Sequence, residues 1–486
     1  MSKPKFYITT SIAYTNAPPH IGYALELVQA DVVARYRRQS GDDVFFLTGT
    51  DEHGAKIVKA AQAAGKTPKD FTDEISGKFE NLTKILHLSN NDFIRTTDQK
   101  RHWPGVREVW QGLERQKDIE FGDYEGWYCS GCEAFIFDKN DVKVMSPANF
   151  AGTPKCLTHN QVGECVKEKN YFFKLSKYTN NIKNAIENNE VEIIPKERKN
   201  EILKMIEQWT GRDGKLRDIS FSRPKEKLGW GIPVPGDDSQ TIYVWADALV
   251  NYLYPKKYWP ASVHCVGKDI LKFHAIIWLG ILLSLKLSLP KKIFVHGFIN
   301  SGGQKMSKSL GNVVDPFELV KKYGVDAVRY FLLREIPATE DGDFSEEKFK
   351  ERYNGDLASG LGNLVARVEK LAQVTKTKKI GNEKSLIAEY KIALQDSKEK
   401  YKESLERFEF SMALAAIWLL IKFCDQEVEK NKLWEKSDKQ KDIISSLLFL
   451  IEEIAKFLEP FMPETSEKIL KQLKNKKSEP LFPRFK

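Results

Sequence analysis

A chain of 486 residues with 41% hydrophobic content is long enough to bury several cores, roughly two to four domains' worth. Its net charge of +9 admits a polyanionic partner, yet lysines alternate with glutamates through most of the C-terminal third, the pattern of solvated helix faces. The longest apolar run, Ala275 to Leu283, is closed off near Lys272 and Lys286, too short to span a bilayer, and reads as a buried helix. Six cysteines are too few for a disulfide scaffold, and the N-terminus leads into a strand-like segment, Phe6 to Thr10, rather than a signal-peptide core. Membrane and disulfide-rich secreted classes are excluded, and a cytoplasmic protein is expected.

Residues 6–10 and 43–48 are short β-branched and aromatic runs, and between them Leu25, Val28, Val32 and Tyr36 recur at helical spacing until Gly41, which predicts a β-α-β unit. The stretch 118–225 holds Cys129, Cys132, Cys156 and Cys165 among glycines and mixed charge. Lacking sustained strand–helix alternation, it reads as an insertion at one sheet edge. A second α/β half follows: a strand at 262–266, a helix from Lys268 to Leu285, a strand at 292–296 and a helix from about Asp315 to Lys322. From about 345 onward amphipathic helical patterns dominate, interrupted at Thr375 to Lys384, which predicts an all-α bundle. No internal repeat or low-complexity tract is present.

Two segments carry phosphate chemistry. Pro18-Pro19-His20-Ile21-Gly22 lies between the first strand and its helix, where free N–H groups and the helix dipole favour an anion. Gly22 lets a ligand approach the backbone, and an imidazole there can donate to charge developing on phosphorus. Alone, His20 reads as a simple helix cap. The second segment, Lys305-Met306-Ser307-Lys308-Ser309, lies in a loop running from Ser301-Gly302-Gly303 to Gly311. Two lysines and two serines there can grip a triphosphate, and nucleotidyl transfer asks chiefly for alignment and charge neutralisation. An exposed basic turn is the bland reading of any one Lys-Ser pair, but it does not explain five such residues in the second half of a split α/β domain.

His20-Ile21-Gly22-Tyr23 resembles the HIGH signature of class I aminoacyl-tRNA synthetases, and residues 305–309 match their KMSKS signature in full. Within that class the chain resembles the methionyl enzymes at Ser11 to Gly22, at Phe46 to Gly54, at Tyr243 to Ala248, at Val266 to His274, and through Asp343-Phe344-Ser345 into Pro460-Phe461-Met462-Pro463. One departure is Tyr23, where the family usually has a second histidine; its hydroxyl is still a donor. The resemblance implies that His20, Tyr23, Lys305 and Lys308 are catalytic, and that ATP also meets Gly22, Gly267, Asp269, Met306, Ser307 and Ser309. Asp51 is expected to hold the methionine ammonium, with Ile12, Tyr14, Trp245, Ala248, Leu249, Tyr252, Ile270 and His274 around the side chain. Aromatic rings suit a thioether sulfur; without the resemblance, each of these aromatics reads as ordinary core.

Cys129-x2-Cys132 and, after 23 residues, Cys156-x2-His159 resemble a zinc knuckle, each pair turning tightly enough to reach one tetrahedral ion. A closed structural Zn2+ site is expected, with Cys165 as the alternative to His159 and unmetallated cysteines as the bland reading. In the helical region Asn363 and Arg367 lie one turn apart on one helix face, and both suit contacts with an unpaired nucleotide. In the methionyl family the corresponding pair, with a downstream tryptophan, reads the anticodon. Trp434 is the candidate here, although Leu433 beside it departs from the usual proline. Trp434 otherwise reads as a helix-packing anchor.

The expected architecture is a Rossmann-type parallel-sheet α/β catalytic domain (1–117 and 226–325) split by a zinc-binding connective insertion (118–225), then a stem-contact segment (326–350) and an α-helical anticodon-binding domain (351–486). The implied reaction joins L-methionine to ATP, with Mg2+, and transfers it to tRNA(Met), in a protein expected to be monomeric. Other class I synthetases, a small nucleotidyltransferase and a noncatalytic tRNA-binding derivative are the rivals. The lack of a large editing insertion, the helical C-terminal region and the intact signature residues weigh against them in turn.

Overall fold

The structure, a computed structural model, describes residues 3–129, 134–135, 155, 162–211, 213–306, 311–475 and 479–485. The chain folds as two compact units. The first comprises Met1–Pro19, Gly41–Asn81 and Asn90–His296, and the second His20–Ser40, Leu82–Ser89 and Gly297–Lys486. Among the described residues no helix is long and apolar enough to cross a membrane.

A parallel sheet organises the first unit. Lys5–Thr10 pairs on one side with Asp43–Asp51 and on the other with Val263–Gly267, which is followed by Lys292–His296 and Glu192–Ile194. Asp43–Asp51 also pairs with Asp92–Arg95 and with the short strand Ala13–Tyr14. Every residue of Val263–Gly267 is buried, as expected of a central parallel strand covered on both faces.

Glu192–Ile194 lies inside the stretch 118–225 that reads from sequence as an insertion, yet it is the edge strand of this sheet. It sits in sequence between the helices Thr179–Glu187 and Lys196–Trp209. A strand of three residues is too short to register as a period. The remainder of that stretch forms a separate antiparallel sheet of Ile119–Cys129, Ala134–Phe135, Glu164–Phe173 and Ile219–Ser220. The helix expected from Lys268 to Leu285 is also interrupted: a π-helix, Phe273–Trp278, precedes a short α-helix, Leu279–Ser284.

The helix Ile21–Gln39 packs in the second unit, against Val325–Arg334. The latter is buried from Val325 through Leu333, so the segment expected to contact the tRNA stem begins as a buried helix. Helices Asn363–Thr375, Ala388–Glu406, Phe410–Lys430, Gln440–Leu458 and Pro463–Asn475 follow. Leu414, Ile417, Ile421, Cys424 and Val428 repeat along one buried stripe, the pattern of an amphipathic bundle helix. The expected break after Thr375 falls where Lys376 adopts a left-handed φ of 51°, a common helix-ending device.

Arg329, fully buried, is the hub of this unit. Its Nε donates to the Phe461 carbonyl at 2.8 Å, Nη1 to the Leu86 carbonyl at 3.0 Å and Nη2 to the Pro460 carbonyl at 2.8 Å. Nη2 also lies 2.8 Å from Asp31 Oδ2. Asp31 accepts the Ser89 N–H and hydroxyl as well, both at 2.6 Å, and pairs with Arg35 at 2.8 Å. Burial alone would raise the Asp31 pKa, but the Arg329 and Arg35 guanidiniums and the Ser89 donors outweigh it and hold the carboxyl below its ordinary value. Replacing Arg329 by Met leaves a buried carboxylate short of its main partner and is expected to cost about 3 to 5 kcal/mol at neutral pH. Because the folded-state pKa of Asp31 is depressed, the wild-type contribution is complete above the ordinary value of 3.8 and is lost as pH falls through the folded value. Urea unfolding should therefore show the gap between Arg329→Met and wild type narrowing as the pH falls toward about 3; a gap independent of pH would show that the charge pair is not its source.

Candidate active site

His20 ends the loop that enters the helix Ile21–Gln39, and its Nδ1 accepts the Gly22 N–H at 3.0 Å. An Nδ1 that accepts carries no proton, so the neutral ring keeps its hydrogen on Nε2. Solvent reaches the residue, yet the protein packed around the ring desolvates the imidazolium and lowers its pKa. A Cβ at Gly22 would stand 2.8 Å from His20 Cε1 and 4.0 Å from Met306 Cε. Glycine is therefore required for the cap, and the structure brings Met306 beside the first signature. The Ile21 N–H donates to the Val314 carbonyl at 3.1 Å, tying the helix start to the far side of the lysine loop. Tyr23 lies in the first turn, half-buried.

Lys305 ends a hairpin in which Ser301 pairs with Gln304 and Asn300 with Lys305. The two-residue turn between, Gly302-Gly303, has φ of 63° and 72°, the pair of positive values that a tight hairpin of this hand demands. The Gly303 N–H donates to Asp343 Oδ1 at 2.8 Å. Lys305 is exposed, with Nζ 5.4 Å from the centre of the Phe298 ring. Ser307, Lys308 and Ser309 lie outside the described residues.

In the bundle, Asn363 begins the helix Asn363–Thr375 and is exposed. Arg367, one turn on, pairs with Asp425 at 3.3 Å and Glu429 at 2.5 Å, and its guanidinium lies 5.8 Å from the centre of the Trp434 ring. Trp434 is 54% exposed whereas Leu433 is fully buried. The packing anchor of this segment is the leucine, and the indole is left for solvent or a ligand.

Of the cysteines, Cys129 is buried at the end of its strand, and Cys165 is exposed opposite Trp127 in the antiparallel sheet. Cys132, Cys156 and His159 lie outside the described residues. Among the described residues no group of three His, Cys, Asp or Glu side chains stands ready to hold a metal.

The remaining predicted residues belong to the first unit. Asp51 closes the strand Asp43–Asp51 and is 7% exposed. Trp245 stacks on Phe273 with ring centroids 3.6 Å apart and planes 9° from parallel. Tyr14 and Ile270 pack against the same core cluster as Leu249 and Tyr252, while Ile12 packs instead on the cluster of Tyr7, Leu47, Ile94 and Ala261. Ala248 is buried. Gly267 closes the Val263–Gly267 strand and the exposed Asp269 follows it, and a Cβ at Gly267 would stand 2.9 Å from Asp269 Oδ1. Phe273, stacked on Trp245, was not singled out from the sequence, because an apolar residue in an apolar run carries no distinguishing signal.

His274 lies 3.0 Å through Nδ1 from the Ile270 carbonyl and 2.8 Å through Nε2 from the Tyr252 hydroxyl. A carbonyl only accepts, so Nδ1 carries the proton and Nε2 accepts the tyrosine O–H. Desolvation pushes the imidazole pKa down to about 4, so the ring is neutral at physiological pH. The unfolded chain then binds the more protons between about 4 and 6.5, and folding stability falls as the pH drops through that window. A His274→Gln variant should flatten the stability–pH slope there by up to about 1.4 kcal/mol per pH unit, measured by urea unfolding; equal slopes would show that His274 is not held neutral.

The family described as tRNA synthetases class I (M) matches residues 6–369, and the anticodon-binding domain of tRNA ligase matches residues 392–484. A methionine–tRNA ligase of Brucella suis biovar 1 (strain 1330) is 38% identical over 493 residues, covering 97% of this chain and 92% of the relative. One from Thermotoga maritima is 39% identical over 487 residues, covering 96% of this chain and 75% of the relative. The solved structure of Mycobacterium tuberculosis methionyl-tRNA synthetase in complex with methionyl-adenylate aligns with a TM-score of 0.87 at 33% identity, over 99% of this chain and 100% of that one. With both signature segments in place and similarity running from end to end, the chain belongs to the methionine–tRNA ligases, within the class I aminoacyl-tRNA synthetases.

Proposed function

We propose that this protein activates L-methionine with MgATP to methionyl-adenylate and pyrophosphate, then transfers the methionyl group to the 3′-terminal adenosine of tRNA(Met). The observation that carries the reading is the match over 99% of the chain to an enzyme solved with methionyl-adenylate. In the first step a methionine carboxylate oxygen forms a bond to the α-phosphorus as the bond from that phosphorus to the pyrophosphate oxygen breaks. In the second, the terminal ribose hydroxyl attacks the methionyl carbonyl and AMP leaves.

His20 donates from Nε2–H to oxygens of the reacting phosphate, a role supported by its Nδ1 being occupied with the Gly22 N–H. Lys305 and Lys308 neutralise the leaving pyrophosphate, with Met306, Ser307 and Ser309 shaping their loop and Tyr23 standing as a second donor near the helix start. Magnesium enters with the substrate, as the counter-ion of the triphosphate. Gly267 and Asp269 take the ribose. Asp51 holds the ammonium, and Trp245, Ala248, Leu249, Tyr252, Ile270 and His274 enclose the thioether, with Tyr14 and Ile12 at the edge. The neutral, hydrogen-bonded His274–Tyr252 pair supports an apolar guest, since it offers no charge there. Asn363, Arg367 and Trp434 read the anticodon, supported by the exposed indole beside the Arg367 guanidinium. The protein acts as a monomer in the cytoplasm.

In the cysteine-bearing segment Cys129, Cys132, Cys156 and His159 would hold a structural zinc. The described backbone suits that ligand set: Cys129 pairs with Ala134 across the residues that include Cys132, and Lys155 with Val162 across those that include Cys156 and His159. When bound, the metal would supply a structural cross-link and no reaction chemistry.

ATP–pyrophosphate exchange with each of the twenty amino acids tests the activity: methionine alone should support it, and Lys308→Ala should abolish it. Exchange with another amino acid would overturn the pocket assignment, and exchange with none would overturn the enzyme reading. Elemental analysis of the purified chain should find about one zinc per molecule, and Cys132→Ser should lose it. Full zinc content in Cys132→Ser, or loss in Cys165→Ser with none in His159→Ala, would exchange or discard the ligand set.

A further inference from the structure

Beside the pocket, three buried polar residues form a chain that the reaction as described leaves unused. Asp247 is wholly buried, and each of its oxygens meets a different imidazole: Oδ2 lies 2.6 Å from His53 Nδ1, and Oδ1 lies 2.6 Å from His102 Nε2. His53 and His102 are themselves only 3% and 2% exposed. A carboxylate only accepts, so both imidazoles donate to it. Burial by itself would favour the protonated acid, but the two histidines outweigh it and hold the Asp247 pKa below the ordinary value.

The three residues come from three segments. Asp247 lies in the helical turn Val244–Ala248, so it stands two residues from Trp245 and one from Ala248. His53 lies two residues beyond Asp51, where the Asp43–Asp51 strand ends. His102 precedes the helix Trp103–Arg115, and its N–H donates to the Asp98 carbonyl at 3.0 Å. The neighbours of the His53 side are anchored too. Its ring is met edge-on by Trp103 and Trp230, with centroids 6.2 and 5.8 Å away. Trp230 Nε1 donates to the Glu52 carbonyl at 2.5 Å, and the Glu52 carboxylate takes Arg95 Nε and Nη2 at 2.6 and 2.9 Å.

We infer that Asp247, bridged to His53 and His102, is a positioning device for amino acid binding: it fixes the Val244–Ala248 turn, with Trp245 and Ala248, in register with the strand end that carries Asp51. The inference rests on the proposed methionine pocket. Two residues of backbone separate Asp247 from Trp245 and His53 from Asp51, so little slack remains between the turn and the strand end. A carboxylate serves here because it has two acceptor edges at a fixed angle, and no apolar residue could join both donors. Removing it would leave two imidazole N–H groups buried without acceptors, which drives the turn and the strand end apart.

The test is calorimetric titration of free methionine, without ATP, into wild type, Asp247→Ala, Asp247→Asn and His102→Ala, with ATP affinity and thermal unfolding measured on each. An Asn side chain can keep the bridge, its oxygen accepting from one histidine and its NH2 donating to the other in the opposite tautomer. Asp247→Ala and His102→Ala should each weaken methionine binding by about tenfold or more, the equivalent of about 1.4 kcal/mol. ATP affinity should stay within about twofold, and Asp247→Asn should recover most of the methionine affinity. Should Asp247→Ala fail to fold, His102→Ala carries the comparison. Unchanged methionine affinity in folded His102→Ala, equal losses for ATP and methionine, or an Asn variant as impaired as the Ala variant would overturn the inference. Wild type that binds no methionine at all would instead overturn the pocket on which it rests.

Discussion

The buried Arg329–Asp31 pair is the constraint on which the second unit depends, and its partners explain why an arginine stands there. Three of its acceptors are backbone carbonyls at places where helices have just ended: Leu86 follows Ile85, and Pro460 and Phe461 follow Leu458. Carbonyls at helix ends lack intrahelical donors, and burial would leave them unsatisfied. A planar guanidinium presents its donors in several directions at once, so one side chain meets all three and still reaches Asp31. Lysine, a single point of charge, could not. Asp31 in turn sits on the helix that His20 caps. One ion pair thereby holds together the first signature helix, the Val325–Arg334 helix and the junction between the last two bundle helices.

In the first unit the parallel sheet does the corresponding work. Ser11 to Tyr14 follow one strand, Asp51 closes another and leads into Glu52 to Gly54, Gly267 closes a third ahead of Asp269, and His296 closes a fourth. Ligand groups in such sheets gather beyond the carboxyl ends of the strands, and here those ends carry the ammonium, ribose and pocket candidates. The π-helix Phe273–Trp278 falls in the same region. A wide turn of this kind commonly marks a functional site, and it begins with the two residues, Phe273 and His274, that contact Trp245 and Tyr252.

What could be read from the sequence follows the range of the forces involved. The strands Lys5–Thr10 and Lys292–His296 and the long bundle helices announce themselves because period and propensity are local. The glycines of the helix start and the hairpin turn are legible for the same reason: Gly22, Gly302 and Gly303 answer to the backbone within a few residues. The edge strand Glu192–Ile194 was not legible, since only its partner Lys292–His296, a hundred residues on, gives it an identity. Nor was the grouping of the helix Ile21–Gln39 with the second unit, which rests on Arg329, or the sharing of one carboxylate by His53 and His102. Trp434 shows a third case. Its neighbour Leu433 satisfies the core, and only the folded chain reveals which of two adjacent apolar residues was left outside.

A common electrostatic choice runs through the histidines. His20 accepts a backbone N–H on Nδ1, and His274 gives its Nδ1 proton to a carbonyl; desolvation lowers the pKa of both. Each is thereby kept neutral, with its tautomer set by backbone. For the proposed reaction this divides the labour. Fixed positive charge from lysines attracts a triphosphate in its ground state and its transition state alike, which aids binding more than rate. A neutral N–H aimed at one phosphate oxygen gains most as charge gathers on that oxygen, and so favours the transition state. A cationic His20 would add to the charge that the lysines already supply, and the positive end of its own helix would oppose it. In the proposed methionine pocket the same neutrality has a different use: a charged His274 would have to be desolvated against a thioether that cannot repay the cost. Both imidazoles are most useful uncharged: in both cases desolvation keeps them so, and the backbone, laid down by a helix start or a helical turn, decides which nitrogen holds the proton.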